Sequence, residues 1–224
     1  MTPDLIQDPS STLAYRPRPA HGTPRARLLL LHGVGGNETN LLSLAGALDP
    51  RLELGFVRGP LTLGPGQYAW FPVQFGPNGP SIDAARADAS RLALIALIRA
   101  LHAADGAAPL PTLIGGFSQG GIMSASVGLS SPADVRGFAI LSGRILPEID
   151  VHLAPREALA TLDAFIAHGD YDDKLPVSWA ERADAKLTGL GVPHDSRRYP
   201  VGHQLSEAIV GDFAAWVARR AGLD

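Results

Sequence analysis

Six short strand-like runs, five of them apolar and most separated by helical patterns, leave this chain few architectures. They fall at 27–31, 52–57, 112–115, 137–141, 164–167 and 195–199. Runs of this length bounded by turn formers read as strands. Between them, the stretch 82–102 repeats Ala85, Ala89, Leu92, Ile95, Ile98 and Leu101 at three- or four-residue steps, with Arg86, Asp88, Arg91 and Arg99 interleaved. That is a helix with one apolar face. Weaker helical patterns cover 39–48, 119–128, 176–190 and 205–220. Parallel strands need crossover connections, so the alternation implies an α/β class with a mostly parallel central sheet and helices on both faces. In such sheets chemistry gathers at the carboxyl ends of the strands.

The 224 residues suit one core, and no linker divides them, so 1–224 is expected to form a single domain. Pro17, Pro19 and Pro24 read as a short loop between two early strands. The 19 basic and 22 acidic residues are mixed along the chain, which leaves no electrostatic footprint for nucleic acid or an anionic membrane. No run approaches the ~18 apolar residues of a spanning helix, and residues 1–9 lack the charged and apolar regions of a signal peptide. The expected location is cytoplasmic. Zero cysteines exclude disulfides, thiolate catalysis and Cys-ligated metals.

One segment breaks the alternation. Residues 59–80 hold five glycines, five prolines and the aromatics Tyr68, Trp70, Phe71 and Phe75. Long loops in compact domains are commonly functional, so this one is read as a wall of the site, with Trp70, Phe71 and Phe75 facing substrate.

The chemistry centres on Gly116-Phe117-Ser118-Gln119-Gly120, which follows an apolar strand and precedes a helical pattern. In GxSxG, a sharp strand-to-helix turn exposes the serine hydroxyl, and the flanking glycines let backbone segments pass closely. A serine nucleophile needs a base to take its proton and a carboxylate to orient that base. Two late strands end in such groups: His168-Gly169-Asp170-Tyr171-Asp172-Asp173 after one, and Gly202-His203 after the other. His203 is the base, because His21, His102, His152 and His194 lie away from the chemical edge. His32 also sits at that edge but precedes the serine, and is expected to fix a neighbouring turn. Spacing does not choose among Asp170, Asp172 and Asp173. The glycine-rich turn His32-Gly33-Val34-Gly35-Gly36 lacks both GxGxxG spacing and a P-loop Lys-Ser/Thr, so nucleotide binding is not expected. In a serine hydrolase it supplies an oxyanion donor, here the Val34 N–H, paired with the Gln119 N–H after the nucleophile.

Together these motifs, with Leu141-Ser142-Gly143, resemble the phospholipase/carboxylesterase family of α/β-hydrolases, from about residue 28 to the C-terminus. The resemblance implies an α/β-hydrolase fold without a large lid insertion and a Ser118–His203–Asp172 triad, so it chooses Asp172. It implies a carboxylesterase-type serine hydrolase (EC 3.1.1) that cleaves short- to medium-chain esters through an acyl-enzyme, with no cofactor and no metal. Acyl-protein thioesterase or lysophospholipase activity is the alternative, and a non-catalytic receptor is the rival of another class. A homodimer is compatible with the resemblance, without an interface signature in the chain. The sequence departs from the family's pattern in two places. Trp70-Phe71 is followed by Pro72, and Ser142-Gly143 by Arg144, where an apolar residue is usual. Arg144 is therefore expected to contact substrate and to favour a negatively charged ester; the competing reading has it paired with Glu148 or Asp150, or turned to solvent.

Overall fold

The computed structural model describes residues 4–76 and 79–223, leaving aside the side chains at 75, 76, 79 and 80. Strands β1 (Ile6–Gln7) and β2 (Ala14–Arg18) precede β3 (Ala26–Leu31), every residue of which is buried. Pro17 stands inside β2, not in a loop. It lies beyond the two residues paired with β1, on a stretch with one open edge, where a missing N–H costs little. The helix expected over 39–48 is only a 3-10 turn, Leu42–Gly46, without a side-chain cap. Asn37 and Asn40 bond the local backbone instead, with Asn37 Oδ1 accepting the Thr39 N–H at 2.8 Å. Such local bonds compete with the helix.

After β4 (Leu52–Arg58), the 59–80 segment is two small hairpins rather than an irregular loop. Strands β5 (Leu61–Gly64) and β6 (Gln67–Ala69) pair antiparallel across Pro65-Gly66, with Gly66 at φ +69°. Strands β7 (Val73–Gly76) and β8 (Gly79–Ile82) form the second hairpin. Then come α1 (Ala84–Asp105), capped by the Asp83 carboxylate on the Arg86 N–H, β9 (Thr112–Phe117) and α2 (Gln119–Ser130). The chain continues through β10 (Gly137–Leu141), a short α3 (Arg156–Leu159), β11 (Asp163–Gly169), α4 (Ser178–Leu190), β12 (His194–Tyr199) and α5 (Glu207–Ala221).

The main sheet has the order β1-β2-β4-β3-β9-β10-β11-β12. It is parallel from β4 to β12 and antiparallel at β1 and β2. Strand side chains alternate between faces, and β3 shows the result. Leu29 and Leu31 join a core with Leu94 and Ile98 of α1, Met123 of α2 and Leu187 of α4. Leu28 and Leu30 join the opposite core with Ile209, Phe213 and Trp216 of α5. Because β3, β9, β11 and β12 run the same way, the segments following each of them emerge at one edge.

Candidate active site

At that edge the β9–α2 turn is constrained by close backbone approach. A Cβ on Gly120 would lie 2.1 Å from the Leu31 carbonyl oxygen, and one on Gly116 would lie 2.4 Å from the Gly120 carbonyl carbon. Ser118 takes φ 55°, ψ −117°, a conformation that L-residues adopt only when the surroundings hold them there. Its N–H donates to Leu141 O at 2.8 Å, which ties the elbow to β10.

The Ser118 hydroxyl lies 3.0 Å from His203 Nε2, and His203 Nδ1 lies 2.7 Å from Asp172 Oδ2. With Nδ1–H donating to the carboxylate, Nε2 is left to accept from the serine. The Asp172 side chain is fully buried. Its other oxygen, Oδ1, accepts the N–H groups of Lys174 (2.9 Å) and Leu175 (2.8 Å), so both oxygens are partnered. The neighbouring aspartates face elsewhere. Asp170 accepts from Arg198 at 2.6 Å, and Asp173, 73% exposed, pairs with Lys174 at 3.0 Å, whose ammonium holds its carboxyl below the usual range. The ring of Phe117 lies 4.8 Å from that of His203.

Opposite the serine, residues 33–36 form a tight turn closed by Gly36 N–H to Gly33 O at 3.1 Å. Among the described residues the N–H groups of Val34 and Gln119 have no protein acceptor. Both residues line the pocket beside Ser118. His32 braces this turn. Its Nε2 accepts the Gly59 N–H at 2.9 Å, and its Nδ1–H donates to Gly33 O at 2.7 Å. Burial pushes the His32 imidazole down, consistent with this neutral tautomer.

Gln119 also contributes its side chain, which accepts the Trp70 N–H at 2.7 Å and donates to Phe71 O at 2.8 Å. This corrects the expectation for Trp70. It is 1% exposed, its indole N–H donates to His32 O at 2.9 Å, and it lies behind the turn rather than on the substrate wall. Phe71 does face the site. The Phe75 side chain lies outside the described residues. The pocket has a volume of ≈ 350 Å³, and its lining includes Ser118, His203, Val34, Phe71, Ile122 and Arg144.

The Phospholipase/Carboxylesterase family model matches residues 19–219. Acyl-protein thioesterase 1 of Mycosarcoma maydis is 30% identical over 192 residues, covering 76% of this chain and 78% of that protein. The chain belongs to the phospholipase/carboxylesterase family. It is thus an α/β-hydrolase of the carboxylesterase and acyl-protein thioesterase type. A carboxylesterase from Mesorhizobium loti superposes with a TM-score of 0.80 at 25% identity, covering 96% of this chain and 98% of that one. Lysophospholipase-like protein 1 of Mus musculus is 30% identical over 110 residues, 48% of this chain, and the match spans only 46% of that relative's length.

Beside the family motifs stand functional neighbours that sequence reasoning does not single out. His168 is fully buried, with Nε2 2.7 Å from Leu175 O and 3.4 Å from Asp172 Oδ2, so it props the acid loop from below. Its signal is its place at the end of an apolar strand, where a buried imidazole needs a partner. Glu38, just after the glycine turn, is 3% exposed and accepts from both Arg16 (2.9 Å) and Arg58 (2.6 Å). It ties the turn to β2 and β4. Among the described residues no helix is long and apolar enough to cross a membrane, and no cluster of potential metal ligands occurs.

Proposed function

We propose that this protein hydrolyses carboxylic esters of short to medium acyl length by acyl transfer through Ser118. The observation that carries the reading is the continuous hydrogen-bond chain from Ser118 Oγ through His203 to Asp172 at the floor of an apolar pocket. Ser118 Oγ attacks the ester carbonyl carbon while its proton passes to His203 Nε2. The oxyanion that forms is held by the Val34 and Gln119 N–H groups, donors that need no reorganisation at the moment of reaction. Collapse of the tetrahedral species expels the alcohol, which takes the proton from His203. Water then attacks the acyl-serine, giving a proton to His203 Nε2; the acyl–Oγ bond breaks, Ser118 Oγ takes that proton back and the carboxylic acid leaves. Asp172 keeps the imidazole in the required tautomer and stabilises its cationic form. No step requires a metal or an organic cofactor. The substrate is a small molecule, and the reaction calls for neither nucleic acid nor a membrane.

The pocket's ≈ 350 Å³ lies at the lower end of ligand-site volumes, which supports acyl groups of modest length. Similarity to an acyl-protein thioesterase makes thioesters of the same acyl range the second reading. The test is kcat/KM over p-nitrophenyl esters from acetate to palmitate, with matched acyl thioesters alongside, for native protein and Ser118→Ala. The expected result is a maximum at short to medium chains and a loss on the order of 10⁶ in kcat for the variant. A maximum at palmitoyl thioester would favour the second reading, and unchanged turnover by Ser118→Ala would end the first.

A further inference from the structure

The serine hydrolase reading gives no role to Arg144, a pocket-lining cation. Arg144 follows Ser142-Gly143 out of β10. Ser142 takes φ 50°, and its N–H donates to Ala167 O at 2.8 Å. A Cβ on Gly143 would lie 2.9 Å from Ser118 O, so the loop runs against the nucleophile elbow. Arg144 thereby enters the pocket that Ser118 and His203 line. It is 6% exposed. Its guanidinium carbon stands 4.5 Å from the centre of the Trp179 ring, a contact that fixes its direction.

What is missing is a counter-charge. Arg144 makes no hydrogen bond or ion pair among the described residues, and its buried Nε has no acceptor. Neither nearby carboxylate serves as partner. Asp150 pairs with Lys186, and Glu148 acts on Arg144 only through the long-range field. Nor does the side chain turn to solvent. A guanidinium stays protonated even when burial disfavours its charge, so this site holds a largely desolvated cation whose buried Nε–H is unmet and whose other N–H donors have no protein acceptor among the described residues. Burying such a group without a partner costs stability, and chains keep one mainly where a ligand completes it. Apart from the triad groups, the other pocket walls are mainly apolar, among them Phe71, Val73, Ile82, Ile122 and Leu175, and the one further cation, Lys174, is already paired with Asp173 at 3.0 Å. A neutral fatty ester would leave the cation unpaired; a substrate with a carboxylate several bonds from its scissile carbonyl would satisfy it through two parallel hydrogen bonds.

We infer that Arg144 is a specificity residue that pairs with a substrate carboxylate, which makes the preferred substrates anionic esters such as monoesters of dicarboxylic acids. This rests on the hydrolase reading and names its substrate class. The carboxylate can belong to the acyl part or to the alcohol part, and matched pairs separate the two. On the acyl side, p-nitrophenyl hemiadipate is compared with p-nitrophenyl hexanoate; on the alcohol side, 4-carboxyphenyl hexanoate is compared with phenyl hexanoate. Native protein should prefer the charged member of one pair. Arg144→Leu should lower kcat/KM for that ester by roughly 10- to 100-fold more than for its neutral partner, the range a charge-assisted hydrogen bond supplies. Arg144→Lys should fall between them, since an ammonium keeps the charge but loses the bidentate fork. Free adipate should inhibit native protein competitively, and far less the Leu variant.

Thermal unfolding provides a readout that a merely structural arginine would fail. Removing an unpaired buried charge should leave Tm of Arg144→Leu equal to or above that of native protein. Equal loss on charged and neutral esters, or a Tm drop with no change in the charge preference, would overturn the inference while leaving the hydrolase reading intact. Absence of turnover on all four esters, together with a Ser118 that does not react with a fluorophosphonate, would instead overturn the hydrolase reading.

Discussion

Replacing Asp172 by Asn is a one-atom change whose consequence follows from the hydrogen bonds around it. Oδ1 accepts two main-chain N–H groups, so an Asn side chain must keep its carbonyl oxygen there and turn its NH₂ toward His203. His203 Nδ1, 2.7 Å from the other Asp172 oxygen, then faces a donor and must become an acceptor. The imidazole proton moves to Nε2, which faces Ser118 and can no longer receive the hydroxyl proton. The same substitution in a serine protease triad costs about 10⁴ in kcat, or about 5.5 kcal/mol of barrier at 1.36 kcal/mol per factor of ten. Asp172→Asn should therefore lower kcat/KM on p-nitrophenyl butyrate by roughly that factor, while the two retained main-chain bonds keep the protein folded by circular dichroism. Asp170→Asn and Asp173→Asn, whose carboxylates pair with Arg198 and Lys174 at half-exposed and exposed positions respectively, should stay within about threefold, because surface pairs contribute at most about 1 kcal/mol. An Asp172→Asn enzyme within tenfold of native activity, or an Asp170→Asn enzyme as damaged as it, would refute the tautomer argument.

Other consequences can be read off the same structure. The Glu38 carboxyl would be raised by burial, but hydrogen bonds from Arg58 and Arg16 pull it down to about 2. A depressed folded value stabilises above the unfolded value of about 4.3 and is lost as pH falls toward 2, a swing of about 3 kcal/mol. Urea melts should show Glu38→Gln clearly less stable than native at pH 7, with the gap shrinking by pH 3; an equal gap at both values would contradict the pairing. Gly120→Ala should prevent correct folding or abolish activity, since its methyl would overlap the Leu31 carbonyl. By contrast Gly211 lies within α5, exposed, with nothing within 4 Å of where a methyl would sit, so Gly211→Ala should stabilise by about 0.5–1 kcal/mol and raise Tm by a few degrees. A fall in Tm would show that α5 needs glycine there.

The parallel sheet is legible in the chain because its inner strands are buried on both faces and appear as continuous apolar runs, as in β3 and β11. The two hairpins in 59–80 are not, since glycine and proline signal turns and say nothing about the three- and four-residue strands between them. Trp70 escapes for a related reason. An aromatic in an unusual segment reads as a surface feature, whereas its burial depends on His32, Ser90 and Gln119, all distant in sequence. The choice of Asp172 comes from the resemblance because three aspartates within four residues are equivalent until the loop's path is known. That path is set by the Asp172 side chain itself, which caps the N–H groups of Lys174 and Leu175. Arg144 stands out in the sequence by position alone; its lack of a partner depends on Trp179 and on Lys186 taking Asp150, which only the folded chain brings together.

The central claim is that Ser118 is a nucleophile activated by His203 and held at the pocket floor. Intact-mass analysis after treatment with a fluorophosphonate, followed by peptide mapping, tests it without presuming any substrate. The account predicts one adduct per chain, on Ser118, formed more slowly while saturating ester is present, absent in Ser118→Ala and strongly slowed in His203→Ala. An adduct on another residue, or an unlabelled Ser118 in protein that still hydrolyses esters, would contradict it.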